Sequence, residues 1–379
     1  MEKNKILTGT IIIICILLMS VFVVTQTGFF IAQGSADTIK IGWISDLSGG
    51  CSKYGAYEAG MMALEEVNKN GGINGKQVEL IVEDGKCDAK TSINAMNKLV
   101  NIDGVKFVLG GHATPESAAI APIAEENEVL MLASITTSPV LTNAGEYVFR
   151  TSPVSTIQSK YIANLAYNKL GHKTMAIVYS QTDYTSPIAE RMNEEFTGLG
   201  GKVIVQEGYL VNTTDFKTIL TKISSLKPDA IFISAMTPDE AYNFMKQLKE
   251  LNISSQVFGN DTLSNKNIFE KGGLNEGVII AGPDFDLNNP KTSLFIHNYK
   301  EKYNSEVPFG VFTAECYDAL FMLKEAIEKV GEDSTEVAKY LYTIDFHGAS
   351  GRIQLDEFGD GIREYKLKII KNGVPIPYE

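Results

Sequence analysis

The sequence predicts an α/β protein built as two doubly wound parallel-sheet lobes. Three observations carry that expectation. Short apolar runs such as FVL (107–109), VLML (129–132) and AIFIS (230–234) alternate with stretches of helical periodicity along nearly the whole chain. The pattern pauses at residues 147–153 and then restarts, so the alternation is written twice. At 379 residues the chain is too long for one ordinary core and comfortable for two.

The first unit opens with TIKIGWIS (38–45), a strand, and the glycine-rich turn SGGCSKYG. Residues 56–70 read as a helix with Ala59, Met62, Ala63 and Val67 on one face, broken by GGINGK. Residues 78–82 form the next strand, ended by Glu83-Asp84. Asp88 caps a helix running to about Asn101, with Ile93, Met96, Leu99 and Val100 on one side. The third strand closes on Gly110-Gly111. Thr114 then caps a helix with Pro115 at its first position, where the missing N–H would be unpaired anyway. The fourth strand ends in Ser134, Ile135, Thr136, Thr137 and Ser138. Both strands thus finish in small or hydroxyl residues before helix starts, where free N–H groups and the positive dipole end suit a carboxylate.

The second unit runs helix 155–170, strand 174–179, helix 187–199, strand 203–209, helix 216–226, strand 230–234 and helix 238–251. Strands 256–259 and 278–281 complete it. Beyond Pro283, helices 293–303 and 311–330 have no sheet of their own and are expected to pack back on the first lobe. A helix at 334–343 and strands at 352–355 and 365–370, around EFGDG, finish the chain. Two such lobes leave a cleft between them, a common seat for ligands.

Residues 1–36 stand apart. Lys3 and Lys5 precede IIIICILLMSVFVV (11–24), and no charge occurs from Ile6 to Ala36. This is a signal peptide or a retained membrane anchor, and either one exports the protein. Cys15 lacks the small residues of a lipid-attachment site before it. Outside this segment are Cys51, Cys87 and Cys316, an odd count in a compartment that permits disulfides. No CxxC occurs, and no metal or cofactor is expected. The net charge of −12, without a basic run, argues against nucleic acid as a partner.

No catalytic set assembles. His112, His172, His297 and His347 are scattered, and there is no GxSxG, HExxH or P-loop lysine. His112, in GGHATPE, reads as a solvated loop histidine, with a pocket role as the alternative. Polar residues that end strands do suit a ligand clamp: Asp46, Tyr54, Asp84, Thr114 and Thr137 from the first lobe, Tyr184 and Asp261 from the second. Asp84 reads more simply as a capped strand end, and NDT around Asp261 is also good turn chemistry.

These residues carry a resemblance. IKIGWISDLSGGCSKYGAYEAGMMALEEVNKNGGINGKQVELIVEDGKCDAKTS resembles the opening of the branched-chain amino acid ABC transporter substrate-binding proteins. These are type I periplasmic binding proteins, typified by the leucine/isoleucine/valine-binding protein. The similarity continues through LASITTSPVLTNAG, VFRTSP, KTMAIVYSQTDYT, KPDAIFIS and ASGRIQLDEFGD. It implies two lobes joined by three crossovers, residues 37–152 with 284–347 and residues 153–283 with 348–379. It also implies that Thr114, the Ile135 backbone and Thr137 hold a ligand α-carboxylate. Tyr184 and Asp261 would hold the α-ammonium, and Tyr54 would line the side-chain pocket.

Three departures stand out. Met236 replaces a usual aromatic, Asp261 replaces a longer Glu, and Ala113 replaces the cysteine that ordinarily pairs with the Cys87 position. Neighbouring first and second strands bring the Cys51 and Cys87 turns to one edge, so Cys51 is the expected partner of Cys87. Asp46 stands where related chains often carry an apolar residue, which suits a more polar or cationic ligand. The resemblance implies a non-enzymatic, exported monomer that delivers an amino acid or small analogue to an ABC permease. A ligand-sensing module for a membrane partner is the alternative, and an enzyme on this scaffold is a third.

Overall fold

The structure, a computed structural model, describes residues 38–379. The expected signal peptide or anchor, residues 1–36, lies outside the described residues. Among the described residues no helix is long and apolar enough to cross a membrane.

The first sheet is parallel. Strands β1 (Ile39–Ser45), β2 (Val78–Asp84), β3 (Phe107–Leu109), β4 (Leu130–Ala133) and β5 (Val148–Arg150) lie in the order β2-β1-β3-β4-β5. Helices cover both faces, which is why β3 and β4 are apolar throughout rather than alternating. On one face the helices Ala56–Lys69 and Val311–Val330 bury Ala63, Val67, Leu320 and Leu323 against Ile41 and Trp43. On the other, Ala89–Asn101 and Thr114–Glu126 bury Met96, Leu99 and Ile120 against Ile44, Val108 and Met131. Gly60 lets the first of these helices approach, since a Cβ there would lie 2.2 Å from the Trp43 ring. The Asp88 carboxylate caps its helix by accepting from the Thr91 N–H at 2.8 Å.

The second sheet contains β6 (Thr174–Ser180), β7 (Lys202–Tyr209), β8 (Ala230–Ser234), β9 (Gln256–Gly259) and β10 (Ile279–Pro283). Next in the chain, β11 (Asp345–Gly348), β12 (Gly351–Leu355) and β13 (Gly361–Ile362) form a small antiparallel sheet. The chain then returns as β14 (Tyr365–Lys371) and β15 (Val374–Pro377), giving the order β15-β14-β10-β9-β8-β6-β7. The chain therefore passes between the sheets three times. The helices Pro290–Tyr303 and Val311–Val330 pack back on the first lobe, as their lack of a sheet implied. Ile353 and Leu355 of β12 also join the core beside β1, on the far side of the expected boundary at 348.

Buried polar pairs tie the crossovers together. Arg150, fully buried, donates to Asp360 at 2.7 Å. Asp318 accepts the Ala349 and Ser350 N–H groups at 2.8 and 2.7 Å. Arg363 lies 3.2 Å from Glu315, whose carboxylate also accepts from the Ser152 hydroxyl. Such charges stay buried only with partners of this quality.

Candidate ligand-binding cleft

The C-terminal ends of the parallel strands in both sheets face one cleft, the position expected of a doubly wound sheet. A small cavity lies there. The first lobe lines it with Tyr54, His112, Ala113, Thr114 and Ile135, and the second with Tyr184, Met236, Asp261 and Thr262. Phe309 and Phe312 close a third side from the start of Val311–Val330.

The lobes are closed over this cavity. The Tyr54 hydroxyl donates to the Met236 carbonyl at 2.9 Å. The Ser155 N–H donates to the Thr137 carbonyl at 2.7 Å, and the Ser138 hydroxyl to the Asp183 carbonyl at 2.5 Å. At the rim, Lys53 meets Asp239 at 2.5 Å.

Asp261 begins a tight turn after β9 and is 2% exposed. Its Oδ1 accepts from the Tyr184 hydroxyl, which in turn accepts from Asn260 Nδ2 at 3.0 Å. Its Oδ2 is buried and has no hydrogen-bond partner. Burial pushes this carboxyl up to about 6, against the opposing pull of the Tyr184 bond. Burial also holds the Tyr184 hydroxyl protonated, reinforced by the Asp261 charge. The cleft thus offers one half-satisfied carboxylate, the arrangement that a cation with N–H donors completes.

Opposite it, Ile135 sits at φ 69°, a conformation that β-branched residues rarely adopt. The Ser152 hydroxyl holds its N–H at 3.1 Å. Backbone held in this region at a cleft is a mark of a functional turn. Thr114 is buried and lines the cavity. It is the first helical residue rather than the cap: Ala113 is the cap, and Glu116 reaches back to accept the Ala113 N–H at 3.1 Å. The Glu116 carboxylate takes over the satisfying role that the sequence assigned to a Thr114 cap. Thr137 is buried with its hydroxyl unpartnered, just behind the lining.

Two expectations are corrected. Asp46 does not line the cavity; its Oδ1 accepts the Cys87 N–H at 2.6 Å. Burial raises Asp46 to about 6, and burial with the Asp46 charge raises Glu116 well above the carboxylate range. The Asp46 Oδ2 has no hydrogen-bond partner but lies outside the cavity lining, so Asp46 is not placed to meet a ligand there. His112 is not solvated. It is 2% exposed, and its Nε2 accepts from Trp43 Nε1 at 2.9 Å, so its proton sits on Nδ1. Burial lowers it to about 4, so it is a neutral wall of the cavity.

Cys51 and Cys87 are joined by a disulfide with Cα atoms 5.7 Å apart, and Cys316 is a buried thiol. Asp84 holds the Leu47 and Ser48 N–H groups at 3.1 and 3.3 Å, a strand-end cap rather than a cleft residue. Sequence reasoning missed Phe309 and Phe312. The available signal was PFGVF, an aromatic pair at a helix start, where apolar side chains have no strand to cover.

Residues 38–371 match the family described as periplasmic binding protein. The leucine-, isoleucine-, valine-, threonine- and alanine-binding protein of Pseudomonas aeruginosa is 30% identical over 338 residues, 88% of this chain and 90% of that one. The leucine-binding protein LivK of Thermotoga maritima superimposes with a TM-score of 0.83 at 30% identity, covering 90% of this chain and 98% of its own. LivJ of Streptococcus pneumoniae, solved with isoleucine, gives 0.82 at 25% identity over 89% and 98%. A solute-binding protein of R. palustris holding benzoate shares the fold at 20% identity and a TM-score of 0.82, covering 90% and 95%. With one family spanning nearly all of the described residues, and with relatives matched along almost their whole length, this chain belongs to the periplasmic binding protein family.

Proposed function

We propose that the protein captures an aliphatic α-amino acid, the branched-chain ones first, and delivers it to an ABC permease. The observation that carries this reading is the half-satisfied Asp261 carboxylate facing the Thr114–Ile135 side across a cavity otherwise walled by Tyr54, Met236, Phe309 and Phe312. An α-ammonium completes Asp261 and Tyr184. An α-carboxylate suits the Thr114 and Thr137 hydroxyls, whereas the Ile135 N–H is already given to Ser152. The aromatic wall takes an uncharged side chain. The named ligands of the Pseudomonas, Thermotoga and Streptococcus relatives support the same class. The protein acts as a monomer by binding alone, with the lobes as residues 37–152 with 284–347 and 153–283 with 348–379, apart from β12, which packs with the first. Export rests on the charged and then apolar N-terminal sequence, whether cleaved or kept as a tether.

Titration calorimetry with leucine, isoleucine, valine and benzoate tests the reading. The three amino acids are expected to bind; heat from benzoate alone would replace an amino-acid site with an aromatic-acid site. Thr114→Ala and Thr137→Ala should each weaken binding by about 1–3 kcal/mol, the scale of a hydrogen bond to a charged group, with unchanged circular dichroism. Unaltered affinity in both variants removes them from the carboxylate seat.

A further inference from the structure

One wall of the cleft is held from behind. Of the residues that line the cavity, Ile135 alone has a positive φ, at 69°. A branched side chain disfavours that region, because its Cβ crowds the following carbonyl. Left to itself, Ile135 would relax toward extended backbone and turn the loop that carries Thr136 and Thr137. A partner must therefore keep it in place. That partner is Ser152, whose hydroxyl oxygen accepts the Ile135 N–H at 3.1 Å from 17 residues along the chain. Ser152 is fully buried and does not line the cavity.

Ser152 is itself held. Its O–H donates to Glu315 Oε2, and the Thr151 hydroxyl reaches the same oxygen at 3.4 Å. With one bond accepted and one donated, the orientation of the Ser152 hydroxyl is set. Glu315 is fully buried on the helix Val311–Val330, about one turn beyond Phe312 of the cavity wall. On its other side, Glu315 Oε1 lies 3.2 Å from Arg363 Nε, and neither atom makes a hydrogen bond. That pair is held by charge, which depends on distance more than on angle. Arg363 gives its directed bonds to the Ser350 carbonyl and hydroxyl, both at 2.6 Å. Ser152 stands in the first passage between the lobes, ahead of the helix Ile157–Asn164, and Arg363 in the last, between β13 and β14. These passages turn if the lobes open. An undirected contact at Arg363, with directed bonds at Ser152 and Ile135, lets the hinge turn while the cavity wall keeps its shape.

We propose that Ser152, oriented by Glu315, is a positioning residue that preorganises the Ile135 wall for the ligand. It touches no ligand itself and acts through Ile135. Without it, each binding event must first return Ile135 to the left-handed region, and that ordering lowers affinity. The inference rests on the reading of the cleft as an amino-acid site only for the choice of probe.

Leucine is the probe, titrated by calorimetry into the wild type, Ser152→Ala, Ile135→Gly and the double variant. Ser152→Ala should lose roughly tenfold in affinity, the scale of forcing a branched residue into the left-handed region. Glycine enters that region freely, so in the Ile135→Gly background the same change should lose less than about threefold. Equal losses in the two backgrounds, or none in either, overturn the proposal, because Ser152 then serves only to satisfy Glu315. Glu315→Gln keeps the size and an acceptor oxygen but drops the charge that Arg363 holds. It should weaken leucine binding on its own and add nothing to Ser152→Ala; additive losses overturn the part given to Glu315. A ligand-free measurement stands apart from these. The carbon chemical shifts of labelled Ile135 should move from left-handed toward extended values in Ser152→Ala, and unmoved shifts overturn the proposal without any ligand. If the wild type binds neither leucine, isoleucine nor valine, the amino-acid reading fails, while the Ile135 shifts still decide what Ser152 does.

Discussion

Asp261→Asn is expected to lower affinity for an α-amino acid by about 2–5 kcal/mol, the cost of removing one member of a buried, hydrogen-bonded charge pair. The substitution keeps the size and keeps an oxygen for the Tyr184 hydroxyl, so the loss reads the charge. Binding should also fall with acid. The Asp261 carboxyl titrates near 6 in the ligand-free cleft. Its ionised fraction therefore drops about tenfold by one pH unit below that value, and affinity is expected to follow. The Asn variant should show no such slope. Calorimetry at pH 7.5 and pH 5 on both proteins makes the comparison; parallel pH profiles would remove Asp261 from the ammonium site.

Stability should move the other way. Burial raises Asp261 from 3.8 to about 6, so the folded state binds its proton more tightly than the unfolded chain. This stabilisation is fully present below pH 3.8 and is lost as pH rises to about 6, where the change amounts to about 3 kcal/mol. At neutral pH the ligand-free Asn variant should therefore be more stable than the wild type, while binding less. Asp46 and Glu116 are raised too, so wild-type stability alone does not isolate Asp261. The difference between the two proteins does. A site that gives up stability for a charge reserved for its ligand is expected to show this opposition.

Much of the fold was legible because a parallel sheet writes its strands as bare apolar runs. FVL, AIFIS and QVFG mark β3, β8 and β9 to the residue. The end of the chain was less legible, since β13 has two residues and β15 reads VPIP. Two prolines argue against a strand, yet β15 lies at the sheet edge, the one place where a missing N–H is tolerated. In the cleft, polar residues at strand ends were readable because chain order puts them there. His112 was not, because its burial depends on Trp43, 69 residues away on β1. Phe309 and Phe312 belong to no strand end, so strand-based reasoning could not reach them.

The remaining large effect concerns the Cys51–Cys87 bridge. Its sequence separation of 36 corresponds to about 4 kcal/mol of lost unfolded-state freedom in the chain-entropy treatment. Cys51→Ser with Cys87→Ser should lower the denaturant midpoint accordingly. The bridge also fixes local geometry. Cys51 lies in the short turn Gly50–Tyr54, which carries Lys53 to Asp239 and the Tyr54 hydroxyl to Met236 across the cleft. On the other side, the Cys87 N–H anchors Asp46 at the end of β1. Freeing the turn should weaken ligand binding, because closure must then order it. Lys53→Ala supplies the contrast. The Lys53–Asp239 side chains are 34% and 47% exposed, so that pair is worth at most about 1 kcal/mol. The double serine variant should lose clearly more affinity than Lys53→Ala. Equal losses would mean that the bridge serves stability alone and leaves the cleft wall where it was. Alkylation of both Cys51 and Cys87 without prior reduction would remove the premise. If the bridge instead positions the wall, Tyr54→Phe in the bridged protein should reproduce part of the loss, since it deletes the hydrogen bond to Met236 while the turn stays pinned.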